Sequence, residues 1–212
     1  MSLCIATPMY AGQCSAEYFE SCLALRGELL AAGIDHTWLI TNNESLVPRA
    51  RNTSAARFLN DESLRKYDRF MFIDADIQFS PEDVAKLWNL DVDVACAAYR
   101  MKKTGAGLAA WKDGQLECID DWKEPVSIDF AGTGFLMIKR HVFEKLIEAY
   151  PEMAHDQQGP CWTFFDTGVV DDGAGPYYIS EDYDFCRKWR KLGGEIILEP
   201  TIKLGHVGRK IY

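Results

Sequence analysis

Two aspartates end an apolar run, Phe70-Met71-Phe72-Ile73-Asp74-Ala75-Asp76, and have the clearest chemical capacity in the chain. The run has the composition of a buried strand. Strand side chains alternate faces, so positions i and i+2 point the same way. Asp74 and Asp76 are therefore expected to aim at one site just past the strand. Two carboxylates that close repel each other, and desolvation raises the cost. A divalent cation removes the difficulty, and oxygen ligands suit magnesium or manganese. The pair could thus hold a metal against a diphosphate; the plainer alternative is two solvated turn aspartates.

The elements that position these acids alternate strand and helix through the first half. Leu3 to Ala6 predicts a strand stopping at Thr7-Pro8. Ser15 can cap a helix with an apolar face of Phe19, Cys22, Leu23, Leu29 and Leu30, ending at Gly33. His36 to Thr41 reads as a second strand, and a polar helix through Arg51 to Leu59 precedes the strand ending at Asp74. Ser80-Pro81-Glu82-Asp83 supplies an N-cap, a proline at the first helical position and early acids. That helix runs to Leu90, and Asp93 to Ala98 forms another strand. Strands separated by helices imply βαβ units and a mostly parallel sheet, with ligands beyond the carboxyl ends of the strands.

The second half reads differently. Ala109 to Ile119 predicts a hairpin around Asp113-Gly114. Ala131-Gly132-Thr133-Gly134 leads into a strand from Phe135 to Ile138, and a helix follows from His141 to Ala149. Residues from Pro151 to Gly175, rich in Gly, Pro, Asp and aromatics, are expected to form a mobile loop or lid. A helix from Glu181 to Leu192 ends at Gly193-Gly194, a strand spans Glu195 to Leu198, and Leu204-Gly205-His206-Val207-Gly208 follows.

Composition narrows the function classes. The chain has 212 residues, 48% hydrophobic and 26% charged, with a net charge of -9. That suits one well-packed domain and argues against nucleic acid as a partner, whose binders are usually basic. Seven cysteines without C-x-x-C spacing suggest reduced thiols and a cytoplasmic setting, each thiol acting as a small buried hydrophobe. The N-terminus lacks the charged region of a signal peptide. No apolar run approaches the roughly 20 residues of a membrane span.

The order of these pieces resembles glycosyltransferases of the GT-A fold, over nearly the whole chain. Ile5-Ala6-Thr7-Pro8-Met9-Tyr10 resembles their first strand and nucleotide-contacting loop. Arg51-Asn52 with Phe70 to Asp76 resembles their donor segment and D-x-D. Gly132-Thr133-Gly134-Phe135-Leu136 resembles the glycine-rich strand entry under the sugar, and Ser180-Glu181-Asp182-Tyr183-Asp184-Phe185-Cys186 the E-D motif heading a late helix. The resemblance implies an α/β fold, with a Rossmann-like, mostly parallel central sheet flanked by helices and a smaller mixed acceptor-side sheet. It implies one domain over 1–212, with a nucleotide-sugar half (about 1–100) and an acceptor and catalytic half (about 101–212). A narrower similarity, to glycosyltransferases with which large alga-infecting viruses build capsid-protein glycans, implies a UDP-sugar donor, glucose or rhamnose favoured, and a glycan or glycoprotein acceptor.

In that frame Asp76 and His206 hold the metal, with Asp74 contributing directly or through the ribose and a water. A histidine ligand tilts the choice towards Mn2+ over Mg2+; the alternative is a packed histidine. Asp182 is the general base if the reaction inverts and an orienting carboxylate if it retains, with Glu181 beside it. Acids at a helix N-terminus also simply cap it. Thr7, Pro8 and Tyr10 are candidates for base and ribose, Tyr10 by stacking or as a plain half-buried aromatic. Arg51 and Asn52 are candidates for the diphosphate or base, or helix-surface side chains. Gly132 and Gly134 either let the backbone approach the sugar or mark a bulge. Trp162, Phe164 and Phe165 are an acceptor platform or a satellite core. The expected activity is metal-dependent hexosyl transfer. The alternative from another class is a non-catalytic nucleotide-sugar or glycan-binding module. A dehalogenase-type phosphatase needs its D-x-D near the N-terminus, and a nucleotidyltransferase needs a basic glycine-rich loop where this chain has Ala11-Gly12-Gln13.

Overall fold

The computed structural model describes residues 2–102, 107–108, 110–112, 115–116, 122–157, 159–173 and 175–208. The first half runs β1 (Ser2–Met9), α1 (Ala16–Ala31), β2 (Asp35–Asn42), α2 (Val47–Asn60), β3 (Arg69–Ile73), β4 (Ile77–Gln78), α3 (Pro81–Leu90) and β5 (Val94–Cys96). The second half adds β6 (Ala110–Lys112), β7 (Gln115–Leu116), β8 (Val126–Ile128), β9 (Phe130–Ala131), β10 (Phe135–Lys139), α4 (Arg140–Ala149), β11 (Ala154–Asp156) and β12 (Pro160–Trp162). It ends with β13 (Gly168–Asp171), β14 (Pro176–Ile179), α5 (Glu181–Lys191), β15 (Ile196–Leu198) and β16 (Gly205–His206).

Capping chemistry sets the helix starts. Ser15 Oγ accepts from the Tyr18 amide at 3.1 Å ahead of α1. Ser80 and Asp83 form a reciprocal capping box ahead of α3, with Pro81 at its first turn. β1 runs through Thr7-Pro8 to Met9 rather than stopping there. Its pairing with β3 ends at Ala6 while its pairing with β2 continues to Met9, and a strand with one neighbour tolerates a proline.

Seven strands form the central sheet, in the order β2-β1-β3-β10-β5-β15-β8. Five share one direction, whereas β10 and β8 run against their neighbours, so the sheet is mixed. Side-chain alternation divides the core in two. Cys4, Phe70, Phe72, Val94, Leu136 and Ile138 face one side, under α2, α4 and α5. Leu3, Ile5, Met71, Ile73, Ala95 and Phe135 face the other, under α1 and α3. This is helix, sheet, helix. Each fully buried Phe of the first layer contributes roughly 1.5–3 kcal/mol by transfer from water. A smaller antiparallel sheet, β7-β6-β9, lies on the second-half side. Its β6–β7 pairing forms the expected hairpin; Ala109, the Asp113-Gly114 turn and 117–119 lie outside the described residues. No helix among the described residues is long and apolar enough to cross a membrane.

Two expectations need correction. Helix α1 buries Tyr18, Ser21, Leu25 and Leu29, leaving Phe19, Leu23 and Leu30 each 56% exposed. Its apolar residues lie all round, so periodicity did not single out the buried face. Ser21 is inside because its Oγ accepts from the Phe79 amide at 3.1 Å. The 151–175 segment is built from strands rather than an open lid: β11 pairs with β12 and β13 with β14. Phe164 and Phe165 are fully buried in the α2/α4/α5 core, with Phe165 stacked on Phe185 at 4.8 Å between centroids. Trp162 is half-buried at its edge. These three are core and not an acceptor platform. Of the described cysteines, Cys4, Cys96, Cys161 and Cys186 are buried thiols.

Candidate functional site

The carboxyl ends of β1 and β3 and the first turns of α1 and α2 enclose a cavity of about 330 Å³. Pro8, Tyr10, Ser15, Val47 and Ala50 line it, together with Glu44, Arg51, Asp74 and Asp76. A larger cavity of about 560 Å³ lies at the opposite end of β2, around Arg26, Asp35 and His36. It is remote from every motif residue.

The Asp74-Ala75-Asp76 segment is not strand. β3 ends at Ile73, and a turn follows in which the Ile77 amide donates to the Asp74 carbonyl at 3.1 Å. The i, i+2 alternation therefore does not carry over, and the two acids take different partners. Asp74 receives a fork from Arg51, Nη1 to Oδ1 and Nη2 to Oδ2, both at 3.0 Å. Arg51 is 4% exposed, rests on the Phe72 ring at 5.1 Å and places Nε 3.6 Å from Glu181 Oε1. Burial disfavours its charge, and Asp74 and Glu181 more than restore it. Arg51 is thus an internal counter-ion joining the strand exit to the head of α5.

Asp76 turns the other way. Its Oδ2 is in contact with Lys102 Nζ, and its Oδ1 lies 3.6 Å from His206 Nε2. The backbone fixes this juxtaposition. β16 pairs with β4, matching His206 with Ile77, and the Val207 amide donates to the Asp76 carbonyl at 2.7 Å. His206 Nδ1 lies 2.7 Å from the Arg100 carbonyl. A carbonyl only accepts, so Nδ1 carries a proton, and the ring turns Nε2 toward Asp76. Burial pushes the Asp76 carboxyl up, but His206 and Lys102 outweigh it and hold it below the usual carboxylate value.

Ser180 caps α5, and its hydroxyl donates to Asp182 Oδ1, which also accepts from the Tyr183 amide at 2.9 Å. Burial, reinforced by the Glu181 carboxylate, holds Asp182 above the ordinary range despite these bonds and Arg51. A carboxylate so raised is a stronger base.

The other candidates separate clearly. Thr7 is fully buried, with Oγ1 2.6 Å from the Tyr18 hydroxyl, so it ties β1 to α1 instead of facing the cavity. Asn52 is buried too, and both ends of its amide clamp Phe165: Nδ2 donates to its carbonyl at 2.8 Å and Oδ1 accepts from its amide at 2.9 Å. Pro8 and Tyr10 do line the cavity, Tyr10 being 73% exposed. Gly132 is buried in the turn between β9 and β10. A Cβ on Gly134 would sit 2.8 Å from three atoms of Tyr99, and the Gly134 amide donates to the Tyr99 hydroxyl at 3.1 Å.

Tyr99 and Lys102 carry no motif and were missed from sequence. Tyr99 packs edge-on to His206 at 5.0 Å between centroids and feels Asp74, Arg51 and Asp182, so it joins the two carboxylate clusters. A signal existed: Tyr99-Arg100-Met101-Lys102 follows a strand whose carboxyl end lies on the same side as those of β1 and β3.

Three or more His, Cys, Asp or Glu side chains do not converge on one point among the described residues. Asp76 and His206 still fit a divalent cation held partly by its ligand. Asp76 Oδ1 and His206 Nε2 face each other, the imidazole being oriented through its far nitrogen as a metal-bound histidine usually is. The cavity lining adds Glu44 and Asp74, which are already paired with Arg49 and Arg51.

This architecture is the GT-A glycosyltransferase fold. No family model matches the sequence, and no curated protein matches it. Among solved structures, A197 from STIV superposes with a TM-score of 0.61 over 98% of this chain and 86% of its own, at 19% identity. A Drosophila β1,4-galactosyltransferase 7 mutant, in complex with manganese, UDP-Gal and xylobiose, gives 0.52 over 98% and 71%, at 12% identity. GalNAc-T7 with UDP, GalNAc and Mn2+ gives 0.50 over 99% of this chain at 12% identity, and the chain spans only 44% of that protein. A glycosyltransferase involved in glycosylation of the PBCV-1 major capsid aligns over 71% of this chain at a TM-score of 0.40, too low to bear on the alga-virus resemblance.

Proposed function

We propose that residues 1–212 form a metal-dependent glycosyltransferase that moves a hexosyl unit from a UDP-sugar to a glycan acceptor. The observation that carries this reading is the facing pair Asp76 and His206 at 3.6 Å, at the mouth of the cavity and on the same sheet end as Asp182. The GT-A fold supports it, as do neighbours solved with UDP and manganese. Glucose or rhamnose as the sugar rests on motif resemblance alone.

A bound Mn2+ or Mg2+ would act as a Lewis acid on the diphosphate leaving group. Asp76 Oδ1 and His206 Nε2 are the chain's donors to it. Pro8 and Tyr10 form the wall for base and ribose. Asp74, held by the Arg51 fork, keeps one fixed orientation at the cavity floor, where it can accept from a ribose hydroxyl. Gly134 is required because Tyr99 fills the space of a side chain, so it acts by seating Tyr99. Asp182, raised in basicity, takes the acceptor hydroxyl proton in an inverting reaction, or orients hydroxyls in a retaining one. Thr7 and Asn52 act indirectly, through packing.

The test is nucleotide release from a panel of UDP-, GDP- and CMP-sugars, with manganese and with a chelator. Manganese-dependent UDP release from one donor supports the reading and names the sugar. Binding without release, with candidate acceptors present, would instead make the chain a binding module.

A further inference from the structure

The contact between Lys102 and Asp76 has no role in the reading above. Lys102 places an ammonium on one oxygen of the carboxylate whose other oxygen faces His206. A divalent cation on one oxygen and an ammonium on the other repel each other across the carboxylate, so each weakens the hold of the other. We propose that Lys102 is an internal competitor for the cation: it neutralises Asp76 in the cation-free protein and must swing away when a divalent ion binds. The proposal rests on Asp76 and His206 being the cation donors.

Three observations support a latch rather than a permanent ion pair. First, the backbones of Asp76 and His206 are pinned to each other by the β4–β16 pairing and the Val207–Asp76 bond. Lys102 is the member with a long flexible stem, its side chain 36% exposed. Second, the same segment supplies both halves of the device. The Arg100 carbonyl sets the His206 tautomer, while Lys102 two residues on covers Asp76. The Arg100–Leu108 bridge and the bond from the Met101 amide to the Gly107 carbonyl close the base of this segment. Lys102 can therefore leave without unmaking the His206 support. Third, the pairing of the acids favours exchange at Asp76. Glu44 is paired with Arg49 and Asp74 with Arg51, so of these three carboxylates it is Asp76 whose cation sits on a flexible, half-exposed stem.

Half-exposed ion pairs are weak, of the order of a few-fold in equilibrium constant. Lys102→Met is therefore expected to tighten Mn2+ binding by about fivefold, measured with Mn2+ alone by water-proton relaxation. Removing a positive charge could tighten binding without any latch, so a second readout is needed. Amine labelling of Lys102 in the wild-type protein, mapped by mass spectrometry, should speed up on saturation with Mg2+, and should not respond to Mg2+ in Asp76→Asn. Affinity unchanged or weakened in Lys102→Met, or labelling of Lys102 indifferent to Mg2+ while Mn2+ binds normally, would overturn the latch and leave the cation site standing. No Mn2+ binding by wild type or Lys102→Met would overturn both together.

Discussion

Asp74 and Asp76 are separated by a single alanine and meet opposite electrostatic conditions. Asp74 belongs to a closed network: a buried guanidinium grips both its oxygens and reaches Glu181. Asp76 belongs to an open one, facing His206 Nε2 on one side and a half-exposed lysine on the other. The closed cluster carries its own cation and is built for position. The open cluster lacks a fixed, fully buried counter-ion and is suited to exchange. One carboxylate motif thus holds one acid in a buried guanidinium fork and the other in a half-exposed pair, with Tyr99 close to both.

The comparison can be broken by substitution. The largest expected effect lies next to the closed cluster: Asp182→Asn should cut turnover by roughly 10²–10⁴-fold with donor binding nearly unchanged, the range for losing a general base. The same variant tests the raised basicity. A carboxyl whose folded pKa exceeds its unfolded one stabilises the fold at low pH and loses that contribution as pH rises through the folded pKa. Asp182→Asn should therefore melt no lower, and preferably higher, than wild type at pH 7. An acidic activity limb at or below the ordinary aspartate value of about 3.9 would contradict the assignment.

Asp76→Ala should weaken manganese-dependent UDP binding by more than about 100-fold, beyond what loss of an outer-shell partner costs, while leaving thermal stability almost intact. Wild-type donor affinity in that variant would remove Asp76 from the cation site. Arg51→Met should do the reverse. It strands Asp74 and Glu181 without their cation and should cost roughly 3 kcal/mol in denaturant unfolding, with Mn2+ affinity altered far less than in Asp76→Ala. Equal stability losses in the two variants would erase the distinction between closed and open clusters. The smallest effect is expected from Glu181→Gln. Removing that carboxylate takes away one of the two influences raising Asp182, so the acidic limb of the activity profile should move to lower pH.

Much of the fold was legible because local rules and the tertiary structure agree. Ser15, Ser80 and Pro81 start helices where capping chemistry says they should, and Phe70 to Ile73 is the central strand its composition predicts. Asp76 and His206 lie side by side because the order of the motifs reflects the order of strand ends. What failed depended on partners far away in sequence. Arg51 read as a phosphate ligand because nothing local reveals that its fork is occupied by a residue 23 positions on. Asn52 likewise clamps a residue 113 positions away. The aromatic 151–175 segment read as a lid because its glycines and aspartates signal turns, while the core that takes up Phe164 and Phe165 comes from α2, α4 and α5. Tyr99 and Lys102 escaped because a single tyrosine or lysine after a strand has no spacing signature.

The late pairing of β16 with β4 has a consequence for the order in which the molecule matures. His206 reaches its support across 106 positions of chain, after every strand of the central sheet has been supplied. In the formed sheet β15 lies beside β5, so the reach from β15 to β16 is short only once the sheet has assembled. The folded body should therefore exist before the cation site does. In refolding, tryptophan fluorescence should recover ahead of Mn2+ binding; simultaneous recovery would mean that site and body form in one step. A nascent chain would pass through a compact but chemically silent stage, and any ability to bind metal would certify that synthesis had run through β16.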